Sequence, residues 1–163
     1  MEEALKGDAA REPLPAESFE EAALAVVALE EILGCFVEII VGATEASEGS
    51  LMLLHEGREL LTITSASGLG REIVLGARRH LGEGISGWVA KNKEPLLLVG
   101  PIKDARFSGV GRGIKDAMCV PLMATDDVVG VLSVSNKKSS GNYTQGDLER
   151  LVELSKPAAR MIV

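Results

Sequence analysis

Two apolar segments, each broken by a short polar turn, are the strongest constraint on the fold. The first, "GSLMLLHEGRELLTITSAS", spans residues 49–67 and turns at 56–58. The second predicts strands at residues 117–124 and 128–136, which turn at 125–127. Apolar runs joined by a few turn residues form β-hairpins. The chain is therefore expected to build a mainly antiparallel sheet, because strands joined by tight turns cannot run parallel.

Helical patterns occupy both ends of the chain. Residues 1–17 are polar and predict a flexible leader, and Ser18 with Glu21 predicts a capping box that starts a helix. We expect Gly34 to interrupt this helix and a second helical segment to follow at residues 35–46. Apolar residues on nearly every side of the first helix predict a partner for it. The simplest partner is a second copy of the chain; the alternative is a downstream segment of a longer protein.

The stretch "LGEGISGWVA" lies between the hairpins and places Gly82, Gly84 and Gly87 in the spacing G-x-G-x-x-G. In a dinucleotide-binding loop, a buried parallel strand precedes the glycines and an acidic residue ends the next strand. Here the preceding "ARRHL" is too basic for such a strand, and the next strand, "PLLLV", ends in a Gly-Pro pair. The glycines instead predict a sharp turn and a close approach at the start of a helix over residues 85–92.

Composition and charge narrow the range of partners. The 163 residues carry a formal net charge of −7 and contain no Lys- or Arg-rich run, so we expect neither nucleic acid nor a membrane surface as a partner. Residues 22–43 are apolar but contain three glutamates, which predicts a soluble helix instead of a membrane span. The two cysteines lie in apolar runs, and no secretion signal opens the chain, which predicts free thiols and a cytoplasmic location.

Four blocks of the sequence, taken in order, resemble the GAF domain, a small-molecule sensing module of signalling proteins. They are "LGEGISGWVAKNKEPLLL", "DARF", "MCVPLMATDDVVGVLSVSNK" and "YTQGDLERLVELSKPAARMI", the last of which predicts a helix from Thr144. The resemblance covers residues 18–163, which we expect to form one GAF domain. It implies a GAF/PAS-like α/β (α+β) fold with a central antiparallel sheet of about six strands. The N- and C-terminal helices would pack on one face of this sheet, and a ligand pocket would lie on the other.

The resemblance also implies where a ligand would bind. The implied pocket positions are Ser50, Ser67, Ile85, Ser86, Asp104 and Phe107. Their combined character is that of a small polar ligand on an apolar wall, and a cyclic nucleotide is one candidate. Phe107 either stacks on a planar ring of the ligand or anchors its loop. We expect no tightly bound cofactor.

A second set of positions partly matches the motif of cyclic-nucleotide-binding GAF domains. Asn136 and Lys137 are followed by Tyr143 and Asp147, but Leu148 stands where the motif has a glutamate. A Lys137–Asp147 ion pair would act as a latch that reports ligand binding, helped by the helix dipole at Asp147. The alternative interpretation is a solvated strand end beside an acidic residue at a helix start.

The sequence does not predict an enzyme. GAF-like methionine sulfoxide reductases carry a cysteine in the glycine stretch, where this chain has Ser86, and Cys119 has the surroundings of a buried small residue. His55 and His80 are expected at the surface, and no clustered ligand set predicts a metal site.

We therefore expect a regulatory sensor that binds a small molecule and transmits the change through its terminal helices, as a homodimer and with an output domain downstream. The alternatives are a ligand-free GAF domain that serves only dimerisation and, third, a cysteine-based methionine sulfoxide reductase-like enzyme.

Overall fold

The computed structural model describes residues 15–55, 57, 59–68, 74–100, 107 and 113–163. The secondary-structure elements of these residues, in chain order, are α1 (Ala16–Ala43), β1 (Ala46–His55), β2 (Leu60–Ser67), β3 (Arg78–His80), α2 (Gly84–Asn92), β4 (Leu96–Val99), β5 (Asp116–Ala124), β6 (Asp127–Lys137) and α3 (Gln145–Ile162). Both predicted hairpins are confirmed, as β1–β2 and β5–β6. The turn residues Glu56 and Arg58 and most of the predicted leader lie outside the described residues.

The strands form one six-stranded sheet in the order β3-β2-β1-β6-β5-β4, and all neighbours are antiparallel. Successive residues of a strand point to opposite faces, so the neighbours Val131 and Leu132 belong to different apolar clusters. Leu132 packs with α1 and α3 on one face, and Val131 packs with α2 on the other. This confirms the predicted fold class, with the two terminal helices on the same face.

The N-terminal helix differs from the prediction in two ways. It begins at Ala16 with Pro15 as the N-cap residue and no side-chain cap, so Ser18 lies inside the helix and the predicted capping box is wrong. It also continues through Gly34 to Ala43, so the predicted break and separate segment 35–46 are wrong. A glycine inside a helix costs only about 1 kcal/mol. The burial of Leu33 and Val37 on either side of Gly34 offsets this cost.

The short strand β3 was not predicted. Its sequence, "RRH", is basic, and all three residues are exposed because β3 pairs only with β2 at the edge of the sheet. Charged side chains suit a solvent-facing edge strand, where they oppose pairing with another chain. Sequence analysis considered this segment only as a buried parallel strand, for which its composition is indeed wrong.

Helix α1 keeps a large exposed apolar surface along its length. The side chains that are more than half exposed are those of Phe19, Leu24, Val26, Val27, Ile32 and Ile39. The predicted surplus of apolar residues on this helix is therefore present in the fold. No helix among the described residues is long and apolar enough to cross a membrane.

Candidate functional site

The glycine stretch forms a compact turn into α2. Gly82 and Gly84 have φ values of +83° and +63°, which favour glycine. A Cβ atom on Gly87 would lie 2.4 Å from the carbonyl oxygen of His80, and the Gly82 amide donates a hydrogen bond to the Gly87 carbonyl at 2.7 Å. The predicted sharp turn and close approach are both present. The close approach is between α2 and the end of β3.

A buried thiol beside two serine side chains lies beneath α2. The Sγ atom of Cys119 is 3.1 Å from Oγ of Ser133, and the Ser86 side chain lies near it. Burial raises the pKa of the Cys119 thiol to about 12, although both serine side chains act to lower it. Ile85 packs against the same apolar cluster. The thiol is therefore neutral at physiological pH and unsuited to nucleophilic chemistry.

A cleft with several serines adjoins this thiol. It has a volume of about 140 Å³ and is lined by Glu48, Gly49, Ser50, Ile63, Ala66, Ser67, Val74, Ser133, Val134 and Ser135. We call it the serine cleft. Ser133 of β6 lines this cleft and also contacts Cys119. It therefore connects Ser50 and Ser67, which line the cleft, with Ser86, which lies beside the thiol.

Two predicted pocket positions, Phe107 and Asp104, are not among the described residues that line the serine cleft. Phe107 is buried, and its ring meets that of Trp88 edge to face, with centroids 6.2 Å apart and an interplanar angle of 84°. Asp104 lies outside the described residues. Glu48, Ser133 and Ser135 also line the serine cleft and were not predicted from the sequence. The two serines on β6 alternate with apolar residues, and this spacing-by-two pattern was the available signal that they share a face.

The predicted latch residues meet at one end of the sheet, around Asp116. This carboxylate is 1% exposed, and it accepts the Lys137 amide at 2.9 Å and the Tyr143 amide at 3.1 Å. The Lys137 ammonium lies 4.0 Å from Oδ2 of Asp147 and 5.8 Å from the centre of the Tyr143 ring. We call these residues, with Asn136, the Asp116 junction. Asp116 connects β5, the end of β6 and the segment that leads into α3, and sequence analysis did not identify it.

Asn136 attaches two further segments to the Asp116 junction. Its side-chain oxygen accepts the Lys115 amide at 2.8 Å, and its Nδ2 donates to the Gly113 carbonyl at 3.2 Å. The Ser47 hydroxyl donates to the Asn136 carbonyl at 2.7 Å. Asn136 itself has a φ of +57°, a conformation that asparagine tolerates better than most residues. The Asp116 junction thus joins the first residues of β1 to the end of β6.

Tyr143 is the buried aromatic residue of the Asp116 junction. The pKa of its hydroxyl is raised to about 12, mainly by burial and also by the nearby charges of Asp116, Asp147 and Glu45, while the Thr44 side chain opposes the shift. Thr44 lies beside this hydroxyl but forms no hydrogen bond of standard geometry with it. Tyr143 therefore stays neutral and serves as an apolar anchor for the start of α3.

The contribution of the Lys137–Asp147 ion pair to stability can be measured separately from that of the cap of α3. Asp147 forms the capping box with Thr144, so we expect Asp147→Ala to lower the free energy of unfolding by about 1 kcal/mol. Lys137→Gln keeps the cap and should cost less, since partly exposed ion pairs contribute about 0–1 kcal/mol. Urea unfolding and hydrogen exchange in α3 measure both effects. The control is Lys156→Gln, which removes the exposed Lys156–Glu153 pair. If Lys137→Gln lowers stability and exchange protection in α3 no more than Lys156→Gln does, the Lys137–Asp147 pair is not a latch.

The two thiols should differ strongly in reactivity. At about pH 8, iodoacetamide should modify the exposed Cys35 but not the buried Cys119 in the folded protein. Protonated Cys119 contributes stability that is present below its ordinary pKa of 9.0 and is lost as the pH rises toward about 12. Mass spectrometry before and after unfolding counts the labels. Equal labelling of both cysteines in the folded chain would contradict this assignment.

No group of three or more His, Cys, Asp or Glu residues in the described part of the chain is arranged to hold a metal ion. Both histidines are exposed, and Nε2 of His55 lies 2.9 Å from the Thr62 hydroxyl.

The fold and the site together define a class: a single-sheet α+β domain with paired terminal helices on one face and a polar cleft beside a short helix on the other. The sequence model of the GAF domain family matches residues 9–163. The chain therefore belongs to the GAF domain family.

Three known proteins are similar to this chain in sequence or in fold. The chain is 32% identical over 82 residues to the dual 3′,5′-cyclic-AMP and -GMP phosphodiesterase 11A of Takifugu rubripes, a match that spans 47% of this chain and 9% of the phosphodiesterase. Its fold is similar to the GAF domain of an Acinetobacter phosphoenolpyruvate-protein phosphotransferase, with 24% identity, a TM-score of 0.72 and coverage of 91% and 94% of the two chains. It is also similar to the type II free methionine-R-sulfoxide reductase of Thermoplasma acidophilum, with 12% identity, a TM-score of 0.68 and coverage of 82% and 94%. The fold thus occurs both in a domain of a larger protein and in an enzyme.

Proposed function

We propose that this chain is a regulatory sensor domain of a signalling protein, which binds a small molecule in the serine cleft and transmits the change through its terminal helices. One observation carries the proposal: Ser133 and Ser135 of β6 line the cleft, and the next two residues, Asn136 and Lys137, belong to the Asp116 junction. A shift of β6 on ligand binding would therefore reach the start of α3 within a few residues. GAF domains in the phosphotransferase and phosphodiesterase relatives support a regulatory role.

The cleft favours a small polar ligand that donates hydrogen bonds. Serine hydroxyls and the Glu48 carboxylate accept such bonds, while Ile63 and Val74 supply apolar contact. A cyclic nucleotide, suggested by the name of the phosphodiesterase relative, would have to keep its phosphate away from Glu48, because like charges repel. We propose no catalytic role. Cys119 is protonated, and the second cysteine, Cys35, lies on α1 against the opposite face of the sheet.

The same proposal includes a homodimer formed through the terminal helices and coupled to an output domain. The exposed apolar side chains of α1 supply the surface that such a contact needs. Free thiols at Cys35 and Cys119 suit a reducing cytoplasm.

Native mass spectrometry of the purified chain tests this function. Cyclic AMP, cyclic GMP and methionine sulfoxide are added separately to the native chain, to Ser50→Leu, which fills the serine cleft, and to Ser140→Leu, which places the same side chain at an exposed position. We expect a dimer that takes up one of these compounds in the native and Ser140→Leu proteins but not in Ser50→Leu. A dimer that takes up none of them would favour the ligand-free dimerisation module instead. Conversion of methionine sulfoxide to methionine would favour the enzyme.

A further inference from the structure

A second and larger recess lies between α1 and β2. It has a volume of about 470 Å³, within the range of about 300–1,000 Å³ that is usual for small-molecule sites. Its walls include Glu30, Glu31, Gly34, Cys35 and Glu38 of α1, and Ser65 of β2 contributes to it from the sheet. We call it the α1–β2 groove. No residue of α1 lines the serine cleft.

The described walls of the α1–β2 groove are acidic. Helix α1 contains six glutamates and no Lys, Arg or His in its 28 residues, and three of these glutamates line the groove. Glu30 and Glu31 are neighbours in the helix, and Glu38 lies two turns further along it. A cation is the ligand that the field of these carboxylates favours.

Ser65 independently indicates a missing polar partner. The residue is only 4% exposed, and its hydroxyl has no hydrogen-bond partner among the described residues. Buried hydroxyl groups nearly always have a partner, because an unsatisfied one costs free energy. Gly34 leaves open space beside the helix at the same level, since a Cβ atom there would have no neighbour within 4 Å. A ligand that enters past Gly34 could hydrogen-bond to the Ser65 hydroxyl.

We propose that the α1–β2 groove is a second binding site, for a small organic cation: an ammonium or guanidinium group on a short aliphatic chain. Glu30 and Glu31 hold the charged head, whose N–H groups donate to their carboxylates and to the Ser65 hydroxyl. Val27 and Leu75, both partly exposed at the groove, cover the aliphatic part. A metal ion fits less well, because no metal-binding cluster is present among the described residues.

Cys35 is a built-in reporter for this site, because it is exposed and lines the groove while Cys119 is buried. The experiment measures the rate of Cys35 alkylation by iodoacetamide in the full chain as agmatine is added, with the ionic strength held constant by sodium chloride. Each protein is compared with itself without agmatine, so that changes in intrinsic thiol reactivity cancel. The test variant is the double substitution Glu30→Gln/Glu31→Gln, with Ser65→Ala as a second. The matched control is Glu20→Gln/Glu21→Gln, which removes the same charge from α1 outside the groove.

Agmatine should slow the alkylation of Cys35 saturably in the native chain and in the control. In Glu30→Gln/Glu31→Gln the apparent Kd should rise about tenfold or more, since two charge-assisted contacts are lost. Ser65→Ala should weaken binding by a smaller factor. Absence of saturable protection, or equal weakening in the test and control doubles, would overturn the proposal. Tighter binding of Nα-acetyl-arginine methylamide than of agmatine would overturn the free-ligand assignment and indicate an arginine side chain of a partner chain.

Discussion

Asp116→Ala is expected to lower the free energy of unfolding by about 2–6 kcal/mol, because it removes the acceptor of two backbone amides, and each buried donor left unpaired costs about 1–3 kcal/mol. The amides are those of Lys137 and Tyr143, at 2.9 and 3.1 Å from the two carboxylate oxygens. Asp116→Asn keeps one acceptor oxygen and turns an amide donor toward the other position, so an intermediate loss is expected. Urea unfolding monitored by circular dichroism measures both losses.

The control for this prediction is Asp127→Ala, which removes the same charge from an exposed position at the first residue of β6. It should change stability by less than about 0.5 kcal/mol. If Asp116→Ala does not fold, hydrogen exchange of the Tyr143 amide in Asp116→Asn reports the loss at the Asp116 junction itself. A change in Asp116→Ala no larger than that in Asp127→Ala would show that the junction does not depend on this carboxylate.

Local patterns in the sequence were sufficient for most of the fold. The hairpins β1–β2 and β5–β6, helix α2 and the start of α3 at Thr144 were predicted, since turn residues, helix caps and apolar periodicity are encoded within a few neighbouring residues. The errors at Ser18 and Gly34 differ in cause. Packing of Leu33 and Val37 on the sheet outweighs the weak helix-breaking preference of Gly34, whereas nothing in the structure explains why α1 begins before Ser18.

Long-range contacts were not predictable in the same way. Asp116 lies 21 residues from Lys137 and 27 from Tyr143 in the sequence, so no local pattern marks it as their acceptor. Ser133 and Ser135 join the serine cleft only because β6 pairs with β1, opposite Ser50 and Glu48. Strand pairing of this kind depends on the whole sheet. The positions of Ser50, Ser67, Ile85 and Ser86 came from the family resemblance, and whether they bind a ligand stays a prediction.

The two faces of the sheet are mechanically connected at the end where the Asp116 junction lies. Ser133 contacts Cys119 beneath α2, and the same strand ends at Lys137 beside α3. The Lys138 amide also donates to the Glu45 carbonyl at 2.7 Å, between α1 and β1. The connection after α1 is therefore hydrogen-bonded to the residue that follows β6, and the Asp116 carboxylate links the end of β6 to the segment before α3. A ligand that moves β6 would act on the attachments of both helices, as the proposed sensor requires.

Gly87→Ala is the second substitution with a large expected effect, a loss of about 1–3 kcal/mol from overpacking. The added Cβ atom would meet backbone atoms: the His80 oxygen at 2.4 Å and the Gly82 nitrogen at 3.1 Å. A backbone atom cannot rotate away as a side chain can, so α2 must shift as a unit. Because Ser86 belongs to α2 and lies beside Cys119, we expect faster iodoacetamide labelling of Cys119 as well as lower stability in urea.

Gly34→Ala provides the opposite case, since both glycines lie in helices but a Cβ atom on Gly34 would meet nothing within 4 Å. Alanine should stabilise the continuous α1 by about 0.5–1 kcal/mol, because glycine loses more backbone entropy on folding. If Gly87→Ala lowers the stability and Gly34→Ala raises it, then the backbone contacts at Gly87 require a glycine there, and Gly34 does not break the helix. Destabilisation by Gly34→Ala would restore the two-segment interpretation of α1, and tolerance of Gly87→Ala would mean that the turn before α2 does not fix the position of Ser86 over the thiol.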